Sequence, residues 1–267
     1  MAIRLARFLA RAGVTSRRGA ADVVRAGRVL LNGRPPVGPG DPVEPAVDRV
    51  TFDGRVLSLP RTVWIALHKP PGYVTSRAAA GRYPSVFSLV HGAPDGLVAV
   101  GRLDVLSEGL LLFTTDGEAA NRLMHPRWQV ERTYRVAVTG RPIVAAGEVL
   151  ARGITLEDEE PVRPTAWRFR SGRGGGALEV ALREGRSRAV RRIASQLGLG
   201  VRRLVRVAYG PVRLGDLPAG RTRPLTEREV AAVYRALHLA GPGSEAPESR
   251  PAGGARPRRA RRGRRGS

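Results

Sequence analysis

One carboxylate stands at a point of the sequence where a folded chain could present it for catalysis. Asp104 lies in GRLDVLSEG, between an apolar stretch at Leu97–Val100 and a second one at Gly109–Thr115. Both stretches have the composition of β-strands, so we expect Asp104 on the connection between them, where a rigid scaffold can present it to a cleft. There it could act as a nucleophile or as a general base. On spacing alone, a turn-capping aspartate is the simpler interpretation.

Three arginines follow at helical spacing in the segment REGRSRAVRR. Arg188, Arg191 and Arg192 fall at i, i+3 and i+4, which places them on one face of a helix predicted at Arg188–Leu197. The opposite face is apolar and would anchor the helix. Neighbouring like charges destabilise a helix unless an anion compensates them. The arginine face is therefore either solvated or turned towards a carboxylate or another anion.

A tyrosine lies in a strand predicted at Arg132–Val138. Because side chains alternate across a strand, Tyr134, Val136 and Val138 share one face. An inward-facing tyrosine usually belongs to the core, so this pattern by itself assigns no function to Tyr134.

The charge of the chain indicates a polyanionic partner. Its 46 Lys and Arg residues outnumber 23 Asp and Glu residues, for a formal net charge of +23, and only Lys69 is a lysine. Such a surplus repels itself unless an anion neutralises it, and the phosphates of a nucleic acid are the most direct candidates. A biased genome would explain arginine in place of lysine, but not the excess over acidic residues.

Several classes of protein are excluded or disfavoured by composition. The absence of cysteine excludes disulfides, thiolate metal sites and thiol nucleophiles. The four histidines are scattered without ligand spacing, so no metal site is expected. No apolar stretch approaches the ~20 residues of a membrane span, and the arginine-containing amino terminus does not resemble a secretory signal. We therefore expect a cytoplasmic protein.

Three segments of the chain differ in character. Residues 1–60 predict two short helices, the second capped by Ser16, and two hairpins with Asn-Gly and Asp-Gly turns. Residues 61–240 predict an α+β domain with a mixed, largely antiparallel sheet. Residues 241–267 are rich in Gly, Pro and Arg and lack aromatics, so we expect a disordered basic tail. The strands predicted in the second segment are Thr62–His68, Leu97–Val100, Leu110–Thr115, Arg132–Val138, Val162–Phe169, Leu178–Arg183 and Val201–Ala208.

Four segments in this order resemble the motifs of one enzyme family. GRLDVLSEGLLLFTTDG is similar to the catalytic motif of the pseudouridine synthases typified by the ribosomal small-subunit synthase A and the large-subunit synthase B. HKPPGYVTS resembles the first motif of that family, RTYRV its tyrosine strand, and REGRSRAVRR with the later YGPVRLGDLPAGRTRPLT its third motif. Residues 1–60 resemble the S-four-type RNA-binding domain that precedes catalysis in this family. Ser187 and Ala189 stand where the third motif usually has Asn and Gln, and Ser107 where the catalytic motif often has Thr.

The resemblance implies an enzyme that detaches uracil from its ribose in ribosomal RNA, rotates it and rejoins it through carbon five, with no metal or redox cofactor. It implies that Asp104 is catalytic, as nucleophile or base, that Tyr134 stacks on the target base, and that Arg191 pairs with Asp104. Leu204 would line the uracil pocket. The other implied substrate-binding residues are Arg102 and three phosphate-contacting arginines, Arg186, Arg188 and Arg206. The arginines expected to bind RNA from the small module are Arg4, Arg17, Arg18, Arg25 and Arg28.

The third motif resembles that of the large-subunit synthase B more than that of the small-subunit synthase A. This favours 23S rRNA, in naked or precursor form, as the substrate, with 16S rRNA as the alternative. We expect a monomer. The rival interpretation is a non-catalytic protein that binds rRNA during ribosome assembly, because the same basic module also occurs in binding-only proteins. A pure binder would not need Asp104, so this residue distinguishes the two.

Overall fold

Residues 2–59 form a small module whose helices and strands share one apolar centre. The computed structural model describes residues 2–59, 62–155, 161–172, 175–186, 188–239 and 241. The elements of the module are β1 (Ile3–Arg4), α1 (Leu5–Arg11), α2 (Ala20–Arg25), β2 (Val29–Leu31), β3 (Pro42–Val43), β4 (Val50–Phe52) and β5 (Arg55–Val56). The apolar face predicted for the first helix is buried, since Leu5, Phe8 and Leu9 pack against Val29 and Val50.

The turns of this module follow the prediction, and one helix start does not. All four residues of the Asn-Gly and Asp-Gly turns have positive φ, which these residue types adopt easily. The second helix begins at Ala20 rather than directly after Ser16. The reason is local: Oγ of Ser16 accepts a hydrogen bond from the backbone N–H of Gly19 at 3.0 Å and closes a turn ahead of the helix.

One large sheet organises the rest of the described chain. Its strands are β6 (Trp64–Lys69), β7 (Val98–Val100), β8 (Glu108–Thr114), β9 (Arg132–Thr139), β10 (Ala166–Gly172), β11 (Gly175–Leu182), β12 (Gly200–Tyr209), β13 (Val212–Arg213) and β14 (Thr222–Pro224). The strand order is β10-β11-β9-β12-β8-β6-β14, with β7 paired to β8 and β13 to β12. Only the pairing of β8 with β12 is parallel among the described strands of this sheet. The predicted mixed, largely antiparallel α+β fold is confirmed.

Helices cover the sheet where its strands are apolar. They are α3 (Gly117–Met124), α4 (Ala146–Arg152), α5 (Ala189–Gln196) and α6 (Glu227–Ala236), with 3-10 turns at Val86–Leu89 and Pro126–Trp128. Leu110 and Leu112 of β8 join the cluster that includes α3 and α6, whereas Leu111 and Phe113 join a second cluster with Leu67 of β6. The continuous apolar run of β8 thus reflects a strand buried on both faces. The helices α4 and α5 pack with β9, β11 and β12 in a third cluster.

One predicted strand is shorter than its apolar pattern indicates. The strand predicted at Val162–Phe169 begins at Ala166, and Val162 instead forms an isolated bridge with Ile154. Ser187 and all of the predicted tail except Gly241 lie outside the described residues. Of the helices in the described ranges, none has the length and hydropathy that a membrane span requires.

The module contacts the sheet domain through Arg7 on α1. Its Nη1 donates to Oε2 of Glu118 at 2.6 Å, and its Nη2 lies 3.6 Å from Oδ1 of Asp116. Asp116 caps the amino terminus of α3 and also accepts a hydrogen bond from the hydroxyl of Tyr234 at 2.7 Å. The cation therefore meets carboxylates at the first turn of α3, where the helix dipole already favours negative charge.

Candidate active site

Seven of the residues selected from the sequence line one cavity of about 300 Å³. They are Arg102, Asp104, Tyr134, Arg186, Arg188, Leu204 and Arg206. They come from the loop between β7 and β8, from β9 and β12, and from the segment that leads into α5. The sheet order thus assembles one pocket from segments that are far apart in the chain.

The cavity presents Asp104 on a loop that is held by hydrogen bonds to its backbone. Asp104 is exposed, and its carbonyl accepts a hydrogen bond from the N–H of Ser107 at 3.0 Å. The preceding residue, Leu103, is tied to Thr75, whose Oγ1 donates to the carbonyl of Leu103 at 2.9 Å. The carboxylate therefore faces solvent while its backbone is fixed on both sides.

The side chain of Lys69 binds the backbone of the Asp104 loop from the protein interior. This residue is fully buried at the end of β6. Its Nζ donates to the carbonyls of Pro70, Asp104, Val105 and Ser107 at 3.1, 3.1, 3.3 and 2.7 Å. Burial lowers the pKa of Lys69 to about 8, although the charge of Asp104 acts in the opposite direction. At neutral pH the ammonium is therefore still mostly protonated and able to donate.

An ion pair between buried Glu108 and exposed Arg203 anchors the other end of the loop. Glu108 begins β8 and is 6% exposed. It accepts hydrogen bonds from Nε and Nη2 of Arg203 at 3.0 and 2.5 Å, and lies 3.2 Å from Nε2 of His68. The hydrogen bond from Arg203 holds the pKa of Glu108 below its usual range, against the effect of burial. These contacts tie β8 to β12 and β6 directly after the loop that carries Asp104.

Tyr134 and Leu204 reach the cavity from neighbouring strands. In the register of β9 and β12, Leu204 lies opposite Val136 and Arg206 lies opposite Tyr134. Val136 is buried whereas Arg135 is exposed, so the predicted inward face of β9 is confirmed. Tyr134 is half-buried and packs against two hydrophobic clusters. It also lines the cavity.

Arg191 does not form the expected pair with Asp104. Its Nη2 donates to the carbonyl of Leu106 at 3.3 Å, and no ion pair within 4.0 Å joins it to Asp104 in the described residues. The predicted arginine face is also divided, because Arg188 has a left-handed φ of 55° and precedes the helix, which begins at Ala189. Arg191 therefore contacts the backbone of the loop at Leu106 rather than the carboxylate of Asp104.

Arg206 is not placed to contact a phosphate at the protein surface. It is 2% exposed, its Nε donates to the carbonyl of Leu110 at 2.7 Å, and its guanidinium lies 4.9 Å from the ring centre of Tyr209. Its position at the inner wall follows from its register on β12, between two strands. Arg102 and Arg188 are exposed at the cavity, and Nε of Arg186 pairs with Glu184 at 2.7 Å.

The arginines predicted to bind RNA from the small module fall into two groups. Arg25 pairs with Asp22 at 3.2 Å, and Arg28 pairs with Asp53 at 2.5 Å. The exposed members outside these pairs are Arg4, Arg17 and Arg18. Arg4, Arg17 and Arg18 are therefore the cations of this module that are most available to an anionic partner.

Sequence reasoning assigned no role to two buried cations of the site. Lys69 could have been noticed, because it is the only lysine among 46 basic residues. Arg132 carries no such signal. It is 5% exposed and lines the cavity, and its Nη2 donates to the carbonyl of Leu123 and to the hydroxyl of Tyr209, both at 2.9 Å. Those partners lie 9 and 77 residues away in the chain.

Comparison with known proteins gives the family of the chain. A family model described as RNA pseudouridylate synthase matches residues 63–196, and an S4 domain model matches residues 3–46. An uncharacterized RNA pseudouridine synthase of Aquifex aeolicus (strain VF5) is 38% identical over 242 residues, which cover 90% of this chain and 96% of that protein. The ribosomal large subunit pseudouridine synthase B of Yersinia pestis is 41% identical over 234 residues, covering 84% of this chain and 71% of that one.

A solved structure agrees with these relatives. A crystal structure of a pseudouridylate synthase matches with a TM-score of 0.60 at 29% identity, covering 86% of this chain and 99% of that one. The fold, the cavity and the relatives lead to one conclusion. The chain belongs to the RNA pseudouridine synthase family and is an RNA-modifying isomerase with an S4 domain at its amino terminus.

Proposed function

We propose that this enzyme converts one uridine of 23S rRNA to pseudouridine, with Asp104 as its catalytic residue. The observation that carries the proposal is that Asp104 is exposed at a cavity of about 300 Å³, on a loop whose backbone is held by hydrogen bonds from Lys69. That volume suits a small ligand such as a single base. The relative named ribosomal large subunit pseudouridine synthase B, at 41% identity, supports the large subunit as the source of the RNA.

The proposed reaction is an isomerisation in which no atom is gained or lost overall. The bond between N1 of uracil and C1′ of ribose breaks, the base rotates, and C5 bonds to C1′ while C5 loses its proton and N1 ends protonated. Asp104 either attacks C1′ or removes the 2′ proton to form a glycal intermediate. Its exposure at the cavity is compatible with both roles.

The remaining cavity residues would hold the flipped nucleotide. Extruding a base costs a few kcal/mol, and stacking on Tyr134, worth ~1–3 kcal/mol, offsets part of that cost. Leu204 would pack against the uracil. Arg102, Arg186 and Arg188 would contact the flanking phosphates, and Arg191 would support the loop that carries Asp104.

The two folded parts would divide the work. We propose that residues 1–60 bind structured rRNA and that residues 61–240 carry out catalysis, with residues 241–267 as a basic tail. RNA helices are recognised largely by shape and by phosphate and sugar contacts, which suits the exposed Arg4, Arg17 and Arg18. We further propose that the enzyme acts as a monomer in the cytoplasm, on naked or precursor rRNA.

One experiment tests both the activity and the target. In cells that lack the gene, pseudouridine mapping of rRNA should show one missing site in 23S rRNA. The wild-type gene and the control variant Asp216→Asn, which alters an exposed aspartate outside the cavity, should restore it. Asp104→Asn should not, because removing a catalytic acid–base group or nucleophile costs about 10²–10⁴-fold or more in rate.

The same variants address the rival assignment to a non-catalytic binder. Purified Asp104→Asn should bind rRNA within about twofold of wild type, since phosphate contacts dominate affinity. Restoration of the site by Asp104→Asn would remove this residue from the mechanism and favour the binder. Loss of a site only in 16S rRNA would overturn the choice of subunit.

A further inference from the structure

Two buried polar groups in the cavity wall lack a partner within the described part of the chain. Nη2 of Arg206 and Oγ of Ser107 are both shielded from solvent and make no hydrogen bond. The two residues are 2% and 1% exposed, and both line the cavity next to Asp104. Buried polar groups in native proteins are nearly always hydrogen-bonded, so two unpaired polar groups beside one cavity indicate a binding site for a ligand.

The fold holds the guanidinium of Arg206 in one orientation. The backbone of Arg206 pairs with Gly109 across the parallel strands, and its Nε is already used by the carbonyl of Leu110. The ring of Tyr209 lies against the guanidinium and is itself fixed by a hydrogen bond from its hydroxyl to the carbonyl of Leu123 at 2.9 Å. The unused donor therefore cannot turn away to find solvent.

A carboxylate does not explain the unused donor. No acidic side chain of the described residues lies within 4.0 Å of Arg206, whereas Arg203, two residues earlier in β12, pairs with Glu108. An arginine stays charged at any ordinary pH, so Nη2 remains a donor that needs an acceptor. The acceptor must enter the cavity.

We propose that Arg206 and Ser107 read the uracil of the flipped uridine, with Nη2 of Arg206 donating to one of its two carbonyl oxygens. This inference rests on the proposed function. The hydroxyl of Ser107 can donate or accept, so it can pair with the neighbouring edge of the same base. Phosphate is a poor alternative ligand, because an enzyme that flips a nucleotide takes the base into its pocket while the charged backbone stays outside.

The sharpest test replaces atoms of the substrate instead of the protein. Three substrate RNAs would carry tritium at carbon five of the target, as uridine, 2-thiouridine or 4-thiouridine, and tritium release would report turnover. Sulfur accepts hydrogen bonds poorly, so wild type should lose about tenfold in kcat/KM with one of the two thio substrates. Arg206→Lys should lose about tenfold with uridine and show no further loss with that same thio substrate, because the shorter cation no longer reaches the oxygen.

A matched control separates this contact from a structural role. Arg202→Lys alters an exposed arginine on the same strand and should keep the wild-type penalty for the thio substrate. If Arg206 only supported the fold, Arg206→Lys would lower kcat/KM by the same factor on all three RNAs, and the proposal would be wrong. Equal wild-type rates on all three RNAs would also overturn it. Failure of wild type on uridine itself would instead contradict the proposed function.

Ser107→Ala keeps the proposal testable even if Arg206→Lys does not fold. Oγ of Ser107 has no partner in the described protein, so its removal should leave the melting temperature unchanged. The kcat/KM for uridine should fall about three- to tenfold, which corresponds to one hydrogen bond. An unchanged kcat/KM would exclude Ser107 from base recognition.

Discussion

At the scale of single residues, the position of Asp104 depends on a buried lysine that binds the backbone of its loop. The Nζ of Lys69 lies within 3.3 Å of four backbone carbonyls, three of them in the loop that carries Asp104. A compact ammonium can sit where four carbonyls converge, whereas a planar guanidinium cannot direct its donors in that way. This accounts for a lysine at the one position where the chain does not use arginine as its basic residue.

The protonation of Lys69 can be observed directly, because a protein labelled with ¹³C-lysine contains a single labelled side chain. We expect one resonance that titrates near pH 8 rather than near 10.5, since burial disfavours the charged amine. Between those two values the unfolded chain binds the proton more tightly than the folded one. The contribution of Lys69 to the free energy of unfolding therefore rises with pH across this window. A midpoint at 10.5 in the folded protein would contradict this prediction.

At the scale of elements, the site depends on the parallel junction of β8 and β12. Glu108 lies opposite Val205, and Gly109 lies opposite Arg206. Gly109 has φ of +112°, and a Cβ atom there would lie 2.4 Å from the carbonyl oxygen of Arg206 and 2.5 Å from its nitrogen. Only glycine lets the two strands approach this closely while the chain leaves the loop that carries Asp104.

Gly109→Ala should therefore destabilise the sheet domain strongly. Backbone strain and the clash with β12 together should cost about 2–6 kcal/mol in the free energy of unfolding, measured by urea denaturation. Gly215→Ala is the matched control, because Gly215 also has positive φ but no atom within 4 Å of the added Cβ. Its cost should be only about 1–2 kcal/mol. Equal costs for the two variants would show that the close approach of the strands is unimportant.

At the scale of the whole molecule, the surplus of positive charge is divided between paired and unpaired cations. The small module is joined to the first turn of α3 by Arg7, which pairs with Asp116 and Glu118. Among the arginines expected to bind RNA, Arg25 and Arg28 already pair with aspartates. The contact with RNA should thus depend on where the cations lie as well as on the net charge of +23.

The salt dependence of RNA binding tests this distribution. The double variant Arg17→Ala with Arg18→Ala should make the negative slope of log affinity against log salt concentration shallower by about 1–2. The reason is that binding releases fewer counterions when fewer phosphates are contacted. Arg25→Ala with Arg28→Ala removes the same charge from the same module but from existing ion pairs, and should change the slope less. Equal changes would mean that net charge alone governs binding.

The sequence by itself determined the fold class, the turns and the strand faces, and it pointed to seven of the residues that line the cavity. Alternating apolar residues and Asn-Gly or Asp-Gly turns act over a few positions, so their outcome can be read locally. Tertiary structure alone decided which cations meet which acceptors. Lys69 binds the loop 38 residues later, Arg206 is buried beside Leu110 across the parallel junction, and Arg191 meets Leu106 instead of Asp104. Such pairings depend on strand order and register, which bring atoms of distant segments within 2.7–3.3 Å of one another and which no local pattern encodes.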